Sequence, residues 1–98
     1  MTPRLFIEPE ASAEIQAAVD WYEARAAGLG REFMRAIRVA LAAIGRQPNQ
    51  FPVVHAEIRR AMLRRFPYAL YFVTEPAPAA IIACTHHRQH PQRWQSRR

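Results

Sequence analysis

The chain has 98 residues, a length that supports one domain spanning residues 1–98, and half of its residues are hydrophobic, which excludes a disordered chain. Its formal net charge is +6, and all 14 basic residues are arginines. The first apolar run, Leu5–Ile7, is too short for a secretory leader or a membrane span, and the single cysteine, Cys84, excludes an internal disulfide. We therefore expect a cytoplasmic protein that does not contact the membrane.

The first half of the sequence predicts a short strand followed by two helices. The strand covers Arg4–Ile7, and apolar residues spaced three and four apart predict a helix from Glu10 to about Ala27. A break at Gly28–Gly30 separates it from a second helix over Arg31–Ile44, for which Gly45 supplies the C-cap. Because the break is short, the two helices are expected to be antiparallel neighbours.

The apolar side chains of these helices are interpreted as core. One stripe on the second helix has helical spacing and comprises Phe33, Ile37, Leu41 and Ile44. Trp21 and Tyr22, near the end of the first helix, are expected to fix the hairpin onto a sheet rather than to take part in chemistry.

The second half of the sequence predicts three strands and a polar tail. The strands cover Ile58–Phe66, Tyr68–Val73 and Ala79–Thr85, with a proline-rich hairpin loop at Glu75–Pro78. Residues His86–Arg98 form a basic tail. The predicted order is β-α-α-β-β-β, an α+β fold in which an antiparallel helical hairpin packs on a mostly antiparallel sheet of about four strands.

The positive charge is concentrated in the second half of the chain. Residues 1–57 carry six arginines and seven acidic residues, a net charge of −1, whereas residues 58–98 carry eight arginines and only Glu75, a net charge of +7. Such asymmetry indicates an acidic partner, either nucleic acid or an acidic protein segment.

A series of landmarks follows the predicted elements in order along nearly the whole chain. The landmarks are Pro9-Glu10-Ala11, Trp21-Tyr22, Leu29-Gly30 with Phe33, Pro48, Phe51-Pro52, Arg59-Arg60, Arg65-Phe66-Pro67-Tyr68, Tyr71, His86, Pro91, Trp94 and Arg97 or Arg98. This ordered set resembles the RelE/ParE toxins of type II toxin–antitoxin systems, above all the group called ParE-like or plasmid-stabilisation proteins.

The resemblance implies a toxin that arrests growth and is neutralised by a cognate antitoxin with an acidic C-terminal segment, and it leaves three activities open. The first is a ParE-like poison that binds DNA gyrase without chemistry of its own. The second is a RelE-like, ribosome-dependent endonuclease that cleaves messenger RNA without a metal or other cofactor. The third is an inactive relative that only binds the antitoxin and co-represses the operon.

The sequence departs from the nuclease pattern of these relatives. Gln89 stands where many of them have arginine, and the chain has no lysine and no tyrosine after Tyr71. RNA cleavage needs a group that moves protons near neutral pH, and arginine does not do so. The gyrase poison is therefore favoured, and enzymatic activity depends on the histidines.

Candidate site residues follow from these alternatives. If the chain is a nuclease, His86 is the general acid or base, and Arg60, Arg65 and Arg88 stabilise charge at the phosphate. Tyr71 or Trp94 would then stack on a base. The predicted target-binding residues are Arg59, Arg60, Arg64, Arg65, Arg88 and Trp94. The segment Ile58–Phe66 is also the candidate contact with the antitoxin, by charge complementarity.

Four residues at the end of the last strand have side chains that can bind a metal. Cys84 and His86 have the i, i+2 spacing that places two side chains on one face of a strand, and His87 and His90 follow them. The rest of the chain offers no second ligand cluster with zinc spacing. The sequence therefore predicts neither a metal nor another cofactor.

Overall fold

A computed structural model describes residues 5–98 of the chain, whose elements follow the order β-α-α-β-β-β-β-α. The elements are β1 (Leu5–Ile7), α1 (Pro9–Arg25), α2 (Leu29–Arg46), β2 (Val53–His55), β3 (Ile58–Met62), β4 (Tyr68–Val73), β5 (Ala79–His86) and α3 (Gln92–Gln95), with a 3-10 turn at Pro48–Gln50 between α2 and β2. The predicted α+β architecture, with a helical hairpin on a sheet, is confirmed. Arg4, where the predicted first strand begins, lies outside the described residues.

The strands form one five-stranded sheet in the order β1-β5-β4-β3-β2. Three of the four pairings are antiparallel, and β1 runs parallel to β5, with Leu5 opposite Ala79 and Ile7 opposite Ile81. The parallel strands β1 and β5 are separated in the chain by two helices and three strands, which is far longer than the minimum connection that a parallel pair requires.

The structure corrects four details of the sequence prediction. The predicted strand Ile58–Phe66 ends at Met62, because the chain turns through Arg65, which has a φ of 72°. The strand β2 and the helix α3 were not predicted, since each is only three or four residues long. Gly45 lies inside α2 rather than after it, and Gln47 follows the helix as its C-cap.

The sheet buries side chains on both faces. On one face, α1 and α2 cover Leu70, Phe72 and Ile81, which are fully buried with Phe33 of α2. On the other face, a smaller cluster gathers around Trp94 of α3. Alternate residues of β4 therefore belong to different layers, as the two-residue period of a strand requires.

The helical hairpin depends on a close approach at Gly30. The Gly28 and Gly30 N–H groups donate to the Glu23 carboxylate over 2.9 and 3.0 Å, and these bonds lower the pKa of Glu23. Gly28 has a φ of 88°, in the left-handed region that glycine adopts without strain. A Cβ atom at Gly30 would lie 2.8 Å from the Val19 carbonyl oxygen, so only glycine fits where α2 starts against α1.

Replacing Gly30 with alanine is therefore expected to lower the free energy of unfolding by about 1–3 kcal/mol, because the added methyl group forces the two helices apart. Urea denaturation followed by circular dichroism measures the change. Gly28→Ala is a control that distinguishes steric contact from backbone strain. A Cβ at Gly28 meets nothing within 4 Å, so only its left-handed backbone conformation disfavours alanine. If Gly30→Ala has the same free energy of unfolding as the wild type, α1 and α2 do not approach as closely at Gly30 as the structure shows.

The free edge of β5 is completed by side chains. Since β1 pairs only with Ala79–Ile81, the remainder of β5 has no neighbouring strand on that side among residues 5–98. There the Cys84 N–H donates to the Glu14 carboxylate over 2.9 Å, and the Arg97 guanidinium donates to the Ile82 carbonyl over 2.9 Å. These two side chains take the place of a strand and satisfy backbone groups that would otherwise be open to pairing.

Within residues 5–98, no helix combines the length and the hydrophobicity needed to cross a membrane.

Candidate functional site

The structure does not bring the four candidate catalytic residues together. His86 lies opposite Tyr68 of β4, and Arg60 lies opposite Tyr71 of the same strand. Cross-strand partners share a face of the sheet, and residues three apart in a strand point to opposite faces. His86 therefore lies on the face covered by α1 and α2, whereas Arg60 lies on the face covered by α3.

The other candidate arginines are also spread over separate surfaces. Arg65 and Arg64 are exposed on the loop after β3, where the Arg65 guanidinium lies 2.7 Å from the Glu32 carboxylate of α2. Arg59 donates to the Phe51 carbonyl oxygen over 2.6 Å, so it holds the segment before β2 in place. Arg88 is exposed after β5.

Trp94 is not placed to stack on a nucleic-acid base. Its side chain is only 6% exposed, and its ring stacks on Tyr71 with centroids 4.1 Å apart and planes 13° apart. Tyr71 is itself 5% exposed. Tyr71 and Trp94, which the sequence suggested for stacking on a base, thus stack on each other between α3 and the sheet. Trp94 is a core residue of the α3 face in this structure, not an exposed target-binding residue.

His86 is held in one neutral form. The Arg88 backbone N–H donates to His86 Nδ1 over 3.0 Å, which places the ring proton on Nε2. Burial lowers the pKa of His86, and the neighbouring His87 and Arg88 lower it further. At neutral pH the ring can donate from Nε2, but Arg60, the candidate catalytic arginine of β3, lies on the opposite face of the sheet.

Cys84, His86, His87 and His90 are not arranged to hold a metal ion together. Burial raises the pKa of the Cys84 thiol to about 12, with a further contribution from Glu14, so the thiolate is not available at neutral pH. Among residues 5–98, no group of three or more His, Cys, Asp or Glu side chains is arranged to hold a metal ion.

A groove of about 580 Å³ lies between α2 and the segment formed by β3 and the loop after it; we call it the α2 groove. Small and apolar residues of the helix line it, namely Ala36, Val39, Ala40 and Ala43, and facing them are Ala61, Met62, Leu63 and Phe66. Val39 is 64% exposed and Met62 is 54% exposed, although both are apolar.

Arginines surround the α2 groove. Arg35 and Arg46 of α2 lie on one side, and Arg64 and Arg65 of the loop lie on the other. The one acidic residue lining the groove is Glu32, and it is already paired with Arg65. The α2 groove thus combines an apolar floor with a positively charged rim.

A second groove, of about 570 Å³, lies between the C-terminal half of α1 and the adjoining ends of β4 and β5; we call it the α1 groove. Aromatic rings form much of its wall, contributed by Trp21, Tyr22, Tyr68 and His86. Tyr22 packs in the helix-side core against Phe33, as predicted, but Trp21 is 50% exposed, which the prediction of a packed pair did not anticipate.

Comparison with solved structures identifies the architecture. A chain of the structure described as the chromosomal ParDE TA system from P. aeruginosa superposes with a TM-score of 0.74 and 19% identity. The match covers 87% of this chain and 96% of that chain. This chain has a ParE-like fold. The resemblance recognised in the sequence is therefore confirmed at the level of the fold. Comparisons with protein-family models and with curated proteins found no match.

The sequence prediction missed both grooves of this structure. The apolar stripe Ala36, Val39, Ala40 and Ala43 has the i, i+3, i+4, i+7 spacing of a second helix face, and it could have been recognised beside the core stripe. The α1 groove has no comparable signal in the sequence, because its walls come from three separate elements and the tail.

Proposed function

We propose that this chain is the toxin of a type II toxin–antitoxin system that acts in the cytoplasm, arrests growth, and is neutralised by an antitoxin bound in the α2 groove. The observation that carries the proposal is the charge and shape of that groove on a ParE-like fold. Its alanine floor permits the backbone of a helix to approach closely, and exposed Val39 offers an apolar contact. Its arginine rim complements acidic side chains, so an amphipathic acidic helix fits it.

For the target, we propose binding to DNA gyrase without chemistry. The separation of His86 and Arg60 on opposite faces of the sheet supports a binding protein over a nuclease, because acid–base catalysis and phosphate stabilisation need adjacent groups. Arg60, on the α3 face, and Arg64 and Arg65, on the loop after β3, remain exposed or half-buried, and they give two candidate contact surfaces for the target.

The second candidate is the RelE-like messenger-RNA endonuclease. One observation favours it: His86 is neutral and partly accessible, and Arg88 lies two residues after it, with its backbone N–H bonded to the His86 ring. A proton-transferring group and a permanent charge therefore lie close together at the end of β5. The third candidate, an inactive co-repressor, differs from both because it predicts no growth arrest.

The test is inducible expression in a bacterial host, alone and together with any small acidic protein encoded next to this chain. Expression alone is expected to arrest growth, and co-expression is expected to restore it. Val39→Glu places a carboxylate in the floor of the α2 groove, so this variant should remain toxic but escape neutralisation. Val53→Glu is the matched control, since Val53 is 51% exposed and lies on β2, outside the groove.

Normal growth at verified high expression of the folded protein would contradict a toxin and favour the inactive co-repressor. Equal neutralisation of the wild type and Val39→Glu would mean that the antitoxin binds elsewhere.

A further inference from the structure

The α1 groove is an aromatic slot that shares no lining residue with the α2 groove. The Tyr22 ring is anchored on the core, stacked on Phe33 with centroids 5.3 Å apart, and the Trp21 ring meets it edge-on at 5.0 Å. Across the groove, the Tyr68 and His86 rings lie 5.3 Å apart. The exposed indole ring of Trp21, held against the Tyr22 ring, offers a surface on which a planar ligand can stack.

Most of the hydrogen-bonding groups that line the groove are donors. His86 carries its proton on Nε2, and the Gln89 side-chain oxygen is already used by the His86 backbone N–H, which leaves its NH₂ group. The carboxylate of Glu14 is saturated by the Arg97 guanidinium and by the backbone of β5. The groove therefore matches a ligand that is rich in acceptors.

A cation completes this lining. Arg93 reaches Glu14 only at 3.7 Å and its side chain is 52% exposed, so most of its donors face solvent at the groove. Arg25 covers one face of the Trp21 ring, with its guanidinium carbon 4.1 Å from the ring centroid, which adds positive charge next to Trp21. Anionic ligands are favoured, and the groove carries no unpaired carboxylate among the described residues.

We propose that the α1 groove binds a nucleotide, with the base stacked on Trp21 and the phosphate held by Arg93. A nucleotide supplies in one molecule the planar ring, the acceptors and the negative charge that the lining selects. The volume of about 570 Å³ is that of a small-molecule site and accommodates one nucleotide rather than a duplex. Four groups with shifted pKa values, Tyr22, Tyr68, Cys84 and His86, line the same groove, as is common at binding sites.

The experiment titrates the full chain with AMP, and separately with a short single-stranded oligoadenylate. Binding is followed by tryptophan fluorescence and by calorimetry. Because Trp94 is buried against Tyr71, the quenched signal is expected to come from Trp21. Trp21→Ala should weaken binding at least about fivefold through lost stacking, and Arg93→Gln about tenfold through a lost charge-assisted bond. Adenosine should bind more weakly than AMP.

Arg46→Gln is the matched control, because it removes an exposed arginine at the α2 groove and should leave AMP binding unchanged. Saturation by AMP identifies a free nucleotide as the ligand, whereas much tighter binding of the oligoadenylate identifies a nucleotide within a single strand. The proposal is overturned if neither binds, if calorimetry shows equal binding in Trp21→Ala, or if Arg46→Gln weakens binding as much as Arg93→Gln. Since Trp21 is half exposed, circular dichroism should show both site variants folded. The growth-arrest assay is independent of this titration, so either proposal can fail alone.

Discussion

Replacing Arg97 with alanine is expected to lower the free energy of unfolding by about 2–3 kcal/mol, because it removes one partner of a part-buried, doubly hydrogen-bonded ion pair. The Arg97 guanidinium bonds both oxygens of the Glu14 carboxylate over 2.8 and 2.9 Å, and the two side chains are only 15% and 14% exposed. These hydrogen bonds raise the pKa of Arg97. Without Arg97, the Glu14 charge lacks its main partner and the Ile82 carbonyl on the β5 edge loses its donor.

Urea denaturation of the variant measures this cost. Arg46→Ala, at an exposed position near the end of α2, is the control and should change stability by less than about 0.5 kcal/mol. The double variant Glu14→Gln/Arg97→Ala should cost less than the sum of its single variants, because the first change removes the charge that the second leaves unpaired. A loss below about 1 kcal/mol for Arg97→Ala would mean that the ion pair does not form in solution.

Replacing Arg60 and Arg65 together with alanine is expected to abolish growth arrest while the protein stays folded. An arginine central to a protein interface contributes about 2 kcal/mol or more, so losing whichever of the two lies in the target contact weakens binding by about 30-fold or more. The stability cost is small, since the Arg65–Glu32 pair is exposed at 69% and 41% and the Arg60 Nε atom has no hydrogen-bond partner in the structure described. Growth after induction and inhibition of gyrase supercoiling by purified protein measure the effect.

The single variants and His86→Gln locate the target surface and its chemistry. Because Arg60 and Arg65 lie on different surfaces, whichever single variant reproduces the loss identifies the face that contacts the target. His86→Gln should leave toxicity nearly intact in a gyrase-binding protein, whereas a nuclease would lose about 10²-fold in messenger-RNA cleavage. Cuts in ribosome-bound messages that disappear in His86→Gln would establish the endonuclease instead. If the double arginine variant remains fully toxic, the segment Ile58–Phe66 does not contact the target.

Much of the fold could be predicted because local sequence patterns specify most of its helices and strands. The stripe of Phe33, Ile37 and Ile44 marks the buried face of α2, and Gly28 marks its start. The strands β4 and β5 were predicted within one residue of their observed ends, because continuous apolar segments bounded by prolines have few alternatives. Elements of three or four residues, such as β2 and α3, form through contacts with the rest of the fold and leave little periodicity to detect.

The sequence by itself determined the fold class, the buried face of α2 and the concentration of positive charge in the second half, since each depends on residue type and spacing. Only the tertiary structure decided which of those charges act together. His86 and Arg60 are separated by the parity of their partners along β4, a matter of register that residue counting does not reveal. Arg97 meets Glu14 across 83 residues, and Trp94 is buried rather than exposed. Contacts between residues so distant in sequence arise from packing of the whole chain, so local sequence patterns do not predict them.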